Sequence, residues 1–208
     1  MKIQNISNNF YNYSQTKISF KSSMPVETLK HVNIGQAKNG FIGKVKVLKA
    51  NGEEALFNVY KHASFLKEIY FLKDNAENVI GEIELRIKKA QDYDKVAFSN
   101  DPSHVFVEIL RNYSDPKTPF YRKGLEEYKQ VGTRLLQVAQ RRSDESLCNG
   151  NIELISKHES FDFYYNLGFK NQNLSWGANP YKLYLPPEAK EALSKRYNGL
   201  WFVKKCKH

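Results

Sequence analysis

The chain has 208 residues, of which 41% are hydrophobic and 13% aromatic, enough for a real core in one globular domain. Its 32 basic residues against 22 acidic ones give a formal charge of +10, which selects acidic partners such as nucleic acid, nucleotide cofactors or anionic surfaces without naming one. Cys148 and Cys206 form no CxxC or Cys/His cluster, which argues against a disulfide framework or structural zinc and fits a reducing, cytoplasmic compartment. No run approaches the roughly 18 apolar residues of a membrane-spanning helix.

Residues 1–24 are rich in Asn, Ser and Gln, carry isolated aromatics at Phe10, Tyr11, Tyr13 and Phe20, and lack an apolar signal core. They read as a flexible polar tail, with a short docking or secretion segment as the alternative. Residues 25–208 read as a single domain: a β-rich half over 25–100, a core over 101–170, and C-terminal strands and a helix over 171–208.

Strands are predicted at 41–48, 55–60, 67–72 and 79–87, with turns at Asn51-Gly52 and 74–78. In the fourth, Ile83, Leu85 and Ile87 alternate with Glu82, Glu84 and Arg86, the pattern of a sheet with one face inward and one toward water. This half is an antiparallel meander. The polar stretch 88–103, with Asp101-Pro102, loops out before the next strand. Over 105–110, Val105, Val107 and Ile109 share one face while Phe106 and Leu110 share the other, so both faces are apolar, as in a central strand.

A long connection over 112–129, broken by Asp115-Pro116 and Thr118-Pro119, leads to a helix over 131–142. Val131, Leu135, Val138 and Arg142, with Ala139 beside them, form its inward stripe. Asn149-Gly150 turns the chain into a second strand over 151–156, followed by a short aromatic helix over 160–167 that Gly168 closes in a left-handed conformation. An edge strand over 181–185, a helix over 188–196 opened by Pro186-Pro187, and the basic Lys204-Lys205-Cys206-Lys207 complete the chain.

The heptapeptide Phe163-Tyr164-Tyr165-Asn166-Leu167-Gly168-Phe169 follows a strand-helix-strand order, and over 105–169 this resembles the acyl-CoA-binding core of the GNAT superfamily of N-acetyltransferases. The resemblance implies an α+β fold, a mixed and mostly antiparallel sheet with a central strand-helix-strand cofactor core flanked by helices. It also implies transfer of an acetyl group from acetyl-CoA to a primary amine by direct attack. The family's phosphate-site pattern is Gln or Arg, any two, Gly, any one, then Gly or Ala. Here Glu127-Tyr128-Lys129-Gln130-Val131-Gly132 keeps only the final glycine.

On this resemblance Lys129, Gln130, Val131, Gly132, Thr133 and Arg134 form the cofactor loop, with Lys129 or Arg134 supplying charge and Gln130 required to take a glycine-compatible dihedral. Leu110, Arg111 and Asn112 present the backbone along which a pantetheine arm pairs like an added strand. The family commonly places two helices after its first strand, forming a wall of the acceptor pocket, whereas 41–87 here is almost wholly stranded.

Two side chains carry the chemistry. Tyr164 matches the family's tyrosine near the cofactor sulfur, and a phenol with an ordinary pKa near about 10 is protonated at neutral pH and can donate to a departing thiolate. Glu108 interrupts an otherwise apolar strand, so its carboxylate needs either a function or a partner such as an arginine. An ordinary Glu near about 4.3 is poorly matched to an amine near about 10.4, so a base here needs burial or a relay water. Glu84, in a polar row and expected to be solvated, is the competing base.

The five histidines have no metal-ligand spacing, and no metal site is expected. Cys148 reads as a small buried hydrophobe, or as a nucleophile for which no base is evident; Trp176 and Trp201 cover the core or line an acceptor cleft. Besides an N-acyltransferase, the eroded glycine loop of the resemblance admits a catalytically weak GNAT-like acyl-CoA-binding module, and the charge of +10 with the basic end admits an adaptor for nucleic acid or an acidic protein. The acceptor amine, small molecule or protein, is not identified by the sequence.

Overall fold

The computed structural model describes residues 33–89, 103–171, 179–195 and 200–202. The tail over 1–24, most of the polar stretch 88–103, Trp176 and the basic end lie outside these residues. Alternating apolar positions separated by turn formers produce β1 (Gly40–Lys49), β2 (Glu54–Ala63), β3 (Glu68–Lys73) and β4 (Val79–Lys88), antiparallel neighbours in chain order. The β1–β2 turn closes through the Lys49 N–H to the Glu53 carbonyl at 2.8 Å, with Gly52 at φ 91°. In the β3–β4 turn the Asp74 carboxylate accepts the N–H groups of Ala76 at 2.9 Å and Asn78 at 2.8 Å, an Asx arrangement.

Then come β5 (His104–Asn112), β6 (Tyr128–Lys129), α1 (Val131–Glu145), β7 (Ile152–Ile155), a 3₁₀ turn at His158–Ser160, α2 (Phe161–Asn166), β8 (Lys170–Asn171), β9 (Lys182–Tyr184), α3 (Pro187–Lys195) and β10 (Leu200–Phe202). Among the described residues the strands make one sheet in the order β10-β1-β2-β3-β4-β5-β7-β9-β8, with β6 pairing β1 beside this path. Among the described strands only β5 and β7 pair in parallel, and α1 is their crossover. The architecture is α+β, mixed and mostly antiparallel. No described helix is long and apolar enough to cross a membrane, and no described cluster of His, Cys, Asp or Glu is arranged to hold a metal.

One face of the sheet is the core. Val45 opposes Phe57, Val59 opposes Leu72, Tyr70 opposes Ile83, Leu85 opposes Val107, and Leu154 opposes Leu183, so a continuous apolar row crosses the strands. Val131, Leu135, Leu136, Val138 and Ala139 of α1 cover this row with no exposed surface, each large side chain contributing about 1.5–3 kcal/mol relative to exposure. Ala189 and Leu193 of α3 join the same core, and Gln137 and Gln140 donate to the Leu193 and Lys190 carbonyls at 3.0 and 2.7 Å. Arg142 ends the inward stripe of α1 in a bidentate pair with Glu68, at 2.7 and 2.9 Å.

The other face is charged, with cross-strand pairs Glu82–Arg111 at 2.6 Å, Lys67–Glu84 at 2.7 Å and Arg86–Glu108 at 2.6 Å. No helix interrupts the described run from β1 to β4.

Three sequence expectations change. The β4–β5 ladder slips between Glu84 and Leu85, which face Ile109 and Val107, so Glu108 is an extra residue in β5, a β-bulge. The bulge shifts the side-chain alternation: Leu110, not Ile109, continues the core face of Val105 and Val107, opposite Ile83. The strand near 181–185 is not the edge, because β8 pairs outside it. The connection 112–129 is more ordered than a plain loop, since β6 at its end pairs Leu48 and Lys49 of β1.

Candidate functional site

The parallel ladder between β5 and β7 is short. Val105, Phe106 and Val107 pair with Ile152, Glu153 and Leu154, and there the pairing stops, while β5 continues along β4 as far as Asn112 opposite Gly81. Beyond Val107, β5 therefore has a neighbour on one side only among the described residues. The Tyr113 N–H donates to the Ile80 carbonyl at 2.8 Å, so the pleat turns the backbone of Asn112 and Leu110 the other way, into the opening. The Asn112 carbonyl is taken by the Thr118 hydroxyl at 2.9 Å, leaving Leu110 as the residue whose main chain lines the gap. Two neighbouring parallel strands that part after a bulge, beneath the start of their crossover helix, are the arrangement that the sequence resemblance implied.

The start of α1 lies over the C-terminal end of β5: a Cβ placed on Gly81, the partner of Asn112, would sit 2.6 Å from the Val131 side chain and 3.0 Å from the Arg111 carbonyl. The first helical hydrogen bond runs from the Arg134 N–H to the Gln130 carbonyl at 2.9 Å, and Gln130 makes no side-chain cap. The N–H groups of Val131, Gly132 and Thr133 thus have no acceptor inside the helix and point, with the helix dipole, toward its mouth. Gln130 has φ 66° and ψ 6°, the left-handed conformation natural to glycine, so the loop keeps its shape although the glycine is gone.

The cations beside this loop are engaged elsewhere. Arg134 is buried and donates from Nε to the Lys46 carbonyl at 2.6 Å and from Nη1 to Gln137 at 3.1 Å, while Lys129 Nζ donates to the Ala50 carbonyl at 3.0 Å. Thr133 is buried. Arg111 pairs with Glu82, and its guanidinium lies 5.2 Å from the Phe120 ring, which also takes Lys157 Nζ at 5.5 Å. Phe120 thereby spans from the end of β5 to the segment just past β7, a contact between distant loops that no local pattern announces.

The aromatic turn docks onto the helix start. A Cβ at Gly132 would lie 2.9 Å from the Phe163 ring, so only glycine lets that ring seat there. Tyr164 is buried, packed edge-on against Phe163 at 5.0 Å and Phe169 at 5.6 Å, and Gly168 takes φ 91° as expected. Burial pushes the Tyr164 phenol up to about 12, so it is protonated throughout the neutral range.

At the bulge, Glu108 pairs with Arg86 at 2.6 Å, with the Glu84 carboxyl as a close neighbour. Burial, then Glu84, push the Glu108 carboxyl above the ordinary glutamate range, against the pull of Arg86 and Lys67. Glu84 is 8% exposed rather than solvated, with Lys67 Nζ at 2.7 Å, because its position in the register sets it beneath the bulge. The partner that the sequence demanded for Glu108 is thus present together with a second carboxyl. Cys148 is buried and its thiol is pushed up, chiefly by burial, which leaves it a poor nucleophile.

No protein-family model matches the chain, and no curated protein does. Among solved structures it is similar to Naa20 of Chaetomium thermophilum in complex with a bisubstrate analogue, at 16% identity and TM-score 0.37 over 60% of this chain and 68% of that one. It is similar also to Tetrahymena GCN5, at 15% identity and TM-score 0.34 over 67% of each chain. A nourseothricin acetyltransferase matches at 14% identity and TM-score 0.35 over 71% of this chain and 86% of that one.

Proposed function

We propose that this chain is an acyl-CoA-dependent N-acyltransferase that moves an acetyl group from acetyl-CoA to a primary amine by direct attack. The observation that carries the reading is the parting of β5 from β7 after Val107, which leaves the Leu110 backbone facing an opening under the bare N-terminus of α1. A sheet edge and a helix mouth are what an extended pantetheine amide and a pyrophosphate require. Leu110 and its neighbours Arg111 and Asn112 would hold the arm, and the N–H groups of Val131, Gly132 and Thr133 the phosphates, with Lys129, Gln130 and Arg134 shaping the loop. Acetyl-CoA supplies an activated thioester carbonyl.

The remaining chemistry belongs to two side chains. As the amine nitrogen bonds to the carbonyl carbon and the carbon–sulfur bond breaks, Glu108 accepts the proton lost by nitrogen, directly or through a water. Tyr164 gives its phenolic proton to the departing sulfur. A Glu108 carboxyl raised by burial and by Glu84 is a better proton acceptor than an ordinary glutamate, and the Tyr164 phenol carries its proton throughout the neutral range.

The test is thiol release from acetyl-CoA across a panel of amines and peptides, with calorimetric titration of acetyl-CoA alongside. Amine-dependent release that falls in Tyr164→Phe while acetyl-CoA binding persists supports the reading. Absence of acetyl-CoA binding, or release unchanged in Tyr164→Phe, removes it.

A further inference from the structure

The acyltransferase reading leaves the acceptor open, and the charged face of the sheet narrows it. Beside Glu108 lies a cavity of about 400 Å³ lined by Ser64, Phe65, Leu66, Lys67, Arg86 and Glu108. That volume falls within the roughly 300–1,000 Å³ of small-molecule sites. Its outer wall is the tip of the β2–β3 hairpin, where the Ser64 N–H bonds the Lys67 carbonyl at 2.9 Å and the two residues between are apolar. Phe65 is wholly exposed and Leu66 is 68% exposed, so neither serves the core. Two large apolar side chains held in water at the rim of a cavity are a contact surface waiting for an apolar group.

The charges in the same place are balanced. Glu108 is matched by Arg86 and Glu84 by Lys67, at 2.6 and 2.7 Å, so the site offers no surplus negative charge. A polycationic acceptor would bring several charges to a neutral pocket on a chain of net charge +10, which repels it. Among the described residues this hairpin tip is the apolar wall of the cavity that Glu108 also lines.

We infer that the acceptor is a small monoamine on a bulky apolar carrier, whose apolar part lies against Phe65 and Leu66 while its nitrogen reaches Glu108. The inference rests on the acyltransferase reading and specifies the substrate class of that same site.

The experiment measures thiol release from acetyl-CoA by the full chain with phenethylamine, hexylamine and spermidine. The monoamines are expected to exceed spermidine at least about tenfold in kcat/KM, the lower end of what one apolar contact discriminates. The exposed-tip variant Phe65→Ser/Leu66→Ser is expected to lose about ten- to two-hundred-fold in kcat/KM for the monoamines, through KM, with KM for acetyl-CoA unchanged. Lys67→Gln/Arg86→Gln, which leaves both carboxyls without cations, shifts preference toward spermidine. Equal use of spermidine by the natural chain, or indifference of the monoamines to the tip variant, overturns the inference while acyl transfer stands. Failure of every amine, together with no calorimetric binding of acetyl-CoA, overturns both.

Discussion

The two ends of the candidate site are built from different materials. Around Tyr164 the parts are aromatic rings and backbone amides: Phe163 on Gly132, Phe169 behind Tyr164, and the open N–H groups of α1. Around Glu108 they are paired acidic and basic side chains, Lys67 just before β3, Glu84 and Arg86 of β4 and Glu108 of β5. The first end depends on shape and backbone donors and is built without a side-chain ion pair that salt or pH could alter. The second depends on charge and responds to both. A site assembled this way separates its recognition of a large anionic donor from its handling of a single proton.

The difference is testable at each end. The largest effect is expected from Tyr164→Phe, which removes the phenolic proton and leaves the ring packing: kcat falls about 100- to 10,000-fold with thermal midpoint nearly unchanged, checked by steady-state kinetics and melting. Next comes Glu68→Gln, outside both ends, as a measure of what a structural ion pair contributes. Burial alone would raise the Glu68 carboxyl, yet hydrogen bonds from Arg142 and Tyr70 outweigh it and hold it below the ordinary range. Its stabilisation is therefore complete above the unfolded value near about 4.3 and is lost as pH falls through the lower folded value. Glu68→Gln is expected to lower stability by about 2–3 kcal/mol at neutral pH and to flatten the acid dependence, read from urea midpoints at pH 7 and pH 3.

Glu84→Gln sharpens the charged end. Activity that needs ionised Glu108 is lost as pH falls through the Glu108 pKa, which Glu84 helps to raise. Removing that neighbour lowers the pKa, so the acid limb of the kcat/KM profile moves to lower pH; a limb that stays in place excludes Glu108 as the titrating base. The smallest effect belongs to Gln130→Gly, which relieves a left-handed non-glycine residue and is expected to stabilise the fold by about 1 kcal/mol, with acetyl-CoA binding retained.

How far the sequence could be read follows the same division. The strands β1 to β4, the helix α1 and the aromatic turn were legible because their signals are local: alternation at period two, an apolar stripe at helical spacing, and a contiguous seven-residue motif. The left-handed Gly168 belongs with them. The charged end was not legible, because Lys67, Glu84 and Glu108 come together only through the registers of β3, β4 and β5, and the slip that seats Glu108 is a property of the ladder rather than of any one strand. Glu84 looked solvated for that reason. The hairpin tip did leave a trace, since Phe65-Leu66 between Ser64 and Lys67 is an apolar pair where turn residues are the norm. Phe120 left none.

The extra residue in β5 ties two roles to one position. A strand shortened there by one residue would fall back into regular pairing with β4, Val107 still opposite Leu85, Ile109 opposite Glu84 and Leu110 opposite Ile83, and would lose the local kink. Deleting Glu108 is thus a different experiment from neutralising it: neutralisation silences a proton acceptor, whereas deletion also straightens β5 where it leaves β7. Relatives of this chain that keep the insertion but vary its side chain would retain the docking edge and change only the base.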